Sequence, residues 1–164
     1  MNFRKIIREI ISETFTDKVI AYHGSDEKIF SFNDSNPIFF VDNLDVASTY
    51  GNNIIKAELK IENPVVFDFE GRSTYFFNNK WLLPSQLSEV IKSISEDIKN
   101  NYSIDEELME ELEYHEYSQF SRDLDGIVMK NISDAMDGVF SSHESATNYV
   151  VFDKSQIKIM KKNI

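Results

Sequence analysis

Apolar positions along this chain follow two periods, and the changes from one to the other divide it into elements. Phe3, Ile6, Ile7, Ile10, Ile11 and Phe15 fall at helical spacing with Arg, Lys and Glu between them. That pattern predicts an N-terminal amphipathic helix over 1–16 that docks on the body or on a partner. Val19 to Tyr22 then reads as a first strand ending in an exposed His23-Gly24. A polar loop follows over 24–37, with Phe30 and Phe32 as expected anchors. Ile38 to Val41 is a second strand, and Asp42 or Asn43 is positioned to cap a short helix carrying Leu44, Val46 and Ala47 inward. Gly51-Asn52-Asn53 marks a turn.

Ile54 to Ile61 alternates, with Ile55, Ala57, Leu59 and Ile61 on one face and Lys56, Glu58 and Lys60 on the other. This is the period of a half-buried strand. Asn63-Pro64 breaks it, and Val65-Val66-Phe67 restarts one. From 82 to 118 the pattern is helical, with Leu83, Leu87, Val90, Ile91, Ile94 and Ile98 at three- and four-residue steps. Ser103-Ile104-Asp105-Glu106 has the form of a capping box. The Glu run behind it, from Glu107 to Glu116, reads as a solvated face. Ile127-Val128-Met129, Tyr149 to Phe152 and Ile157 to Met160 are further strands, the last closing the sheet. No repeat or second domain is visible, so 1–164 reads as one domain, with 71–123 as a mostly helical insertion.

Composition narrows the functional classes. At 164 residues the chain is long enough to bury a core. It has no cysteine, which removes disulfides and thiolate metal sites and suits a cytoplasmic location. No run of about 18 apolar residues suggests a membrane span, and charges interrupt residues 1–15 too often for a signal peptide. The formal charge is −11. Bulk nucleic-acid binding needs a basic surface, so the charge argues against it.

The candidate chemistry lies at three segment ends: Tyr22-His23-Gly24-Ser25, the Ile38-Phe39-Phe40-Val41-Asp42 strand with Ala47-Ser48-Thr49-Tyr50 behind it, and Asn148-Tyr149-Val150-Val151-Phe152. Alone, each residue has an ordinary explanation. His23 would be a satisfied strand-end histidine, Phe39 and Phe40 core, Tyr50 a helix-end aromatic. His115 and His143 read as solvated or loop residues, and no His/Asp/Glu spacing suggests a metal site. Taken in order, the three segments resemble the donor site of the His-Tyr-Glu class of ADP-ribosyltransferases, which includes poly(ADP-ribose) polymerase and diphtheria-type toxins. Asn63-Pro64-Val65-Val66-Phe67-Asp68, Asp125 to Asn131 and Tyr149 to Lys158 are similar to small phage-type domains of that kind.

The resemblance implies an α+β fold of split, bent antiparallel sheets with peripheral helices and NAD, as co-substrate, in the cleft between the sheets. It implies that His23 bonds a ribose hydroxyl, that Gly24 holds the carboxamide through its backbone, and that Tyr50 stacks on nicotinamide. The implied donor-binding set is His23, Gly24, Ser25, Phe40 and Tyr50, and the catalytic set is His23, Tyr50 and Asn148. The third motif position is normally Glu; here it is Asn148, with Glu144 four residues earlier as a possible substitute carboxylate. An amide accepts the same hydrogen bond but brings no charge, which favours a single transfer over chain elongation. The implied function is mono-ADP-ribosylation of a macromolecular acceptor, a protein in preference to nucleic acid, by a toxin- or phage-type effector, with an antitoxin or host factor as a further partner. Three alternatives stay open: a catalytically weak module that acts by binding a partner, ADP-ribosylation of nucleic acid, and NAD hydrolysis without transfer.

Overall fold

The computed structural model describes residues 18–28, 31–33, 35–100, 123–133 and 146–164. The expected N-terminal helix, Phe30, the acidic stretch 103–118 with His115, and the segment bearing His143 and Glu144 lie outside these residues. What is described is mostly β-sheet with few helices. Strands β1 (Lys18–Ser25), β2 (Ile38–Val41), β3 (Asn53–Lys60), β4 (Pro64–Asp68), β7 (Gly126–Ile132), β8 (Ala146–Val151) and β9 (Ile157–Lys162) form one sheet in the order β4-β7-β8-β2-β1-β3-β9. Strands β5 (Tyr75–Phe77) and β6 (Lys80–Leu82) form a separate hairpin. Helix α1 spans Leu44–Thr49 and α2 spans Pro84–Asn100.

The expectation of two split antiparallel sheets needs correction on two points. The strands form a single mixed sheet, because β4 and β7 run parallel, Pro64↔Gly126 through Asp68↔Lys130. The split survives as a seam inside that sheet. β1 and β3 pair over eight residues and β2 and β8 over four, but β1 meets β2 at the single pair Tyr22↔Val41. Beyond that pair the ladders diverge, and the space between them is the cleft described below.

Burial follows the sequence pattern. Ile55, Ala57, Leu59 and Ile61 are buried with Ala21, Ile38, Phe40 and Val151 in one apolar cluster. Ile54 is buried on the opposite face, with Val41, Ala47 and Ala146. β9 pairs with β3 at the sheet edge, so the last strand closes the sheet as expected. Gly126 to Met129 of β7 are all buried, as befits a strand inside the sheet with a parallel neighbour.

Helix α2 buries Leu87, Ile91, Ile94 and Ile98 against Val65, Phe67, Ile127, Met129 and Val150. Pro84 occupies its first turn, where a missing N–H costs nothing. Gln86 Oε1 accepts from Leu83 N at 2.9 Å, which satisfies the preceding backbone group. The two buried serines on its inner face are satisfied by carbonyls: Ser88 Oγ donates to Pro84 at 2.7 Å and Ser95 Oγ to Leu124 at 3.2 Å.

The segment 71–123 was expected to be mostly helical, and its first part is not. Tyr75-Phe76-Phe77 and Lys80-Trp81-Leu82 pair around Asn78-Asn79, both at positive φ (47° and 58°). Two left-handed central residues make the two-residue turn that matches strand twist, and Asn tolerates that conformation. The inner face of the hairpin packs Phe77, Tyr75 and Leu82 onto the α2 cluster.

Asp125 and Gln156 join the corners of the sheet. Asp125 Oδ2 and Oδ1 accept from Glu62 N at 2.8 Å and Asn63 N at 2.9 Å. Gln156 Nε2 donates to the carbonyls of Lys60 and Asp125, and its Oε1 accepts from Phe152 N and Asp153 N. Burial holds the Asp125 carboxyl above the usual carboxylate range, against the opposing pull of these N–H groups. No helix among the described residues is long and apolar enough to cross a membrane.

Candidate functional site

Where β1 and β2 part, a cavity of about 400 Å³ opens. Tyr22, His23 and Gly24 line it from β1, Phe39, Phe40 and Val41 from β2, Ala47 and Tyr50 from α1 and its end, and Asn148 from β8. Leu83, Pro84 and Ser85 line it at the entry to α2. Of the site residues expected from sequence, His23, Gly24, Phe40, Tyr50 and Asn148 therefore meet at one cleft. Ser25 does not line it; its Oγ accepts from Glu27 N at 3.1 Å in a local turn.

His23 lies inside β1 and is half-buried, not exposed at a strand end as expected. Its Nδ1 is 2.6 Å from the Phe39 carbonyl oxygen, across the seam. A carbonyl only accepts, so Nδ1 carries the proton and donates, and the neutral ring offers Nε2 as an acceptor. The ring packs edge-on to Phe32 at 5.3 Å and tilted against Phe40 at 5.5 Å. Burial in this aromatic nest lowers the imidazole below its ordinary value of 6.5, and the Phe39 bond opposes the shift only in part. At neutral pH His23 is an uncharged acceptor with a fixed ring.

Gly24 lines the cleft, and the space a side chain would take is filled by α1: a Cβ there would lie 1.9 Å from the Ala47 carbonyl oxygen and 3.4 Å from the Tyr50 Cβ. The glycine lets α1 dock on β1 and so sets where Tyr50 stands. Asn43 is the N-cap of α1, its Oδ1 accepting from Asp45 N at 2.8 Å and Val46 N at 3.3 Å. Asp42, the other capping candidate, clasps β8: Oδ1 accepts from Thr147 N at 3.0 Å, and its own N–H donates to Thr147 O at 3.1 Å. Tyr50 closes the helix as its C-cap. Gly51 follows at φ 147°, where a Cβ would lie 2.1 Å from the Ser25 backbone, so the chain returns sharply into β3.

Asn148 is the third residue of β8, which begins at Ala146 and not at Tyr149 as the sequence suggested. It pairs with Val41 on one side and Met129 on the other. At 3% exposure it is the most buried polar residue lining an otherwise mostly apolar cleft. Leu83, Pro84 and Ser85 were not anticipated. The Leu-Leu-Pro-Ser break announces a helix start, but nothing in the sequence relates that start to a cleft formed by β1 and β2.

A family model described as "ADP-Ribosyltransferase in polyvalent proteins" matches residues 17–164. The chain belongs to this ADP-ribosyltransferase family. No curated protein and no solved structure matches it. Members of such a family take ADP-ribose from NAD, and the cleft is the candidate site of this ADP-ribosyltransferase domain. Its volume is in the range of small-molecule sites, and it has the expected makeup of aromatic walls with a few convergent polar groups. Among the described residues of the domain, no group of three or more His, Cys, Asp or Glu could hold a metal ion.

Proposed function

We propose that the chain is a mono-ADP-ribosyltransferase of the His-Tyr-Glu class, with Asn148 in place of the motif glutamate, and that its acceptor is a macromolecule, most simply a protein. The observation that carries this reading is the meeting of His23, Tyr50 and Asn148, from three separate elements, at one cleft along the strand seam.

The reaction breaks the bond between the nicotinamide nitrogen and the ribose anomeric carbon. Nicotinamide leaves with the bonding pair, an acceptor lone pair forms the new bond, and the acceptor proton passes to solvent. The protein's part is positioning through a strained, oxocarbenium-like state. Tyr50 supplies an aromatic face for the departing ring. His23 Nε2 accepts a ribose hydroxyl, with its ring held by Phe39, Phe32 and Phe40. Asn148 accepts a second hydroxyl. It brings no negative charge to the anomeric carbon and cannot serve as a base, so a second ADP-ribose unit is not activated for addition to the first. The acidic balance of the chain favours a protein acceptor over nucleic acid. A phage or toxin-type effector acting in the cytoplasm is the setting we favour, in keeping with the polyvalent proteins named for the family.

Incubation with labelled NAD and a cell lysate tests the whole reading. A labelled macromolecule whose mass rises by one ADP-ribose per site is expected. Ladders of linked units would refute single transfer. Labelled free ADP-ribose with no acceptor would favour hydrolysis, and NAD binding without turnover would favour the partner-binding module.

A further inference from the structure

Cross-strand neighbours in an antiparallel pair point to the same face of the sheet. Gly24 and Ile54 form such a pair beneath α1, and two residues along the same face lies the pair Tyr22 and Lys56. Lys56 is in turn opposite Lys161 of β9. Tyr22 lines the cleft, and Lys56 Nζ stands 6.0 Å from the centroid of the Tyr22 ring. The rim of the cleft on this side is therefore an aromatic ring with one ammonium over it, and a second lysine stands next in register.

Glu58, two residues along β3 from Lys56, is shared by Lys18 at 3.6 Å and Lys158 at 3.8 Å. Lys56 and Lys161 form no ion pair among the described residues. Like charges directly opposite one another destabilise a ladder, and this pair sits in a chain of net charge −11. An anion bound between them would relieve the repulsion.

We propose that Lys56, assisted by Lys161, is the phosphate clamp of the cleft and binds the pyrophosphate of the dinucleotide donor at the Tyr22 rim. The inference rests on the donor reading of the cleft. Gly24 and Tyr22 are two strand residues apart, about 7 Å, which leaves room for a ribose between the nicotinamide end at Tyr50 and the clamp. A lysine suits this place because it acts as a point charge that follows a flexible diphosphate.

Calorimetric titration of the full chain with NAD and with nicotinamide riboside, which carries the same ring and sugar but no phosphate, tests the clamp. Lys56→Gln should weaken NAD binding about tenfold and make it less sensitive to salt, while riboside binding stays unchanged. Lys161→Gln should show a smaller loss of the same kind, and Lys56→Arg should keep most of the NAD affinity. Equal NAD affinity in Lys56→Gln and the parent overturns the clamp, as does equal weakening of both ligands. A Lys56→Gln chain that binds NAD normally but transfers poorly would assign the phosphate to the acceptor, and the proposal would be wrong. If the parent chain binds neither ligand, the donor reading itself fails, an outcome separate from the others.

Discussion

Gly24 and Ala47 approach so closely that a single added carbon on the glycine would lie 1.9 Å from the Ala47 carbonyl oxygen. The obstacle is helix backbone, which cannot swing aside like a side chain. Gly24→Ala must push α1 off β1, and Tyr50 moves with it. A loss of about 1–3 kcal/mol is expected for such overpacking, seen as a lower Tm, together with weaker NAD binding. Ser25→Ala, one residue along and outside the cleft, should leave NAD affinity unchanged in the same titrations.

The protonation state of His23 sets a pH dependence. Its folded pKa lies below the ordinary 6.5 because burial disfavours the charged ring. The unfolded chain therefore binds the proton first. The stability that follows is complete above about pH 6.5 and declines as pH falls toward the lowered value. NAD affinity should be flat above neutrality and fall once the ring charges, since Nε2 then donates instead of accepting. Titrations across pH would check this, and His23→Ala should remove the acid limb as well as weaken binding.

Tyr50 and its hydroxyl have separable roles. If the ring face holds nicotinamide, Tyr50→Phe keeps most of the affinity. Tyr50→Ala should lose about 0.5–1.5 kcal/mol of stacking, or up to roughly tenfold in Kd. Nicotinamide alone, as a second titrant, should show the same ordering.

If Asn148 holds a ribose hydroxyl as proposed, Asn148→Ala removes one neutral hydrogen bond to the donor. A loss of about 1 kcal/mol, several-fold in single-turnover rate, is expected, and His23→Ala should be worse. Full activity in both variants would place the chemistry elsewhere.

Asp125 is a structural counterpart. Asp125→Ala leaves Glu62 N and Asn63 N without their acceptor and should cost about 1–3 kcal/mol. Thermal unfolding should show the loss, while NAD affinity measured well below Tm should stay as in the parent.

Part of the cleft was legible because Gly24 and Tyr50 lie near the ends of β1 and α1, transitions that chemistry and pattern both mark, whereas His23 and Asn148 lie inside their strands. Ile54 to Ile61 was legible because alternation states which face is buried. The hairpin at 75–82 had its signal too, aromatics on either side of Asn78-Asn79, but it stood beside a long helical pattern and was absorbed into it. The parallel pairing of β4 with β7 left no local trace, since the partners are about 60 positions apart and each reads simply as a short apolar run. Leu83, Pro84 and Ser85 at the cleft depend on that pairing, and so were hidden with it. The place of Lys56 also needed register: it read as one of several outward lysines until Tyr22 stood opposite.

The parallel pair has one more consequence. Between Asp68 and Gly126 the described residues form an excursion outside the seven-stranded sheet, and its length enters no ladder register. Closing a longer excursion costs little, about 0.6 kcal/mol per doubling. The excursion supplies one wall of the cleft through Leu83 to Ser85, whereas His23, Tyr50 and Asn148 all come from outside it. The wall can be remodelled or grafted from another sequence while the grouping of His23, Tyr50 and Asn148 stays in place. The cleft is thus assembled from two parts of the chain that can evolve apart.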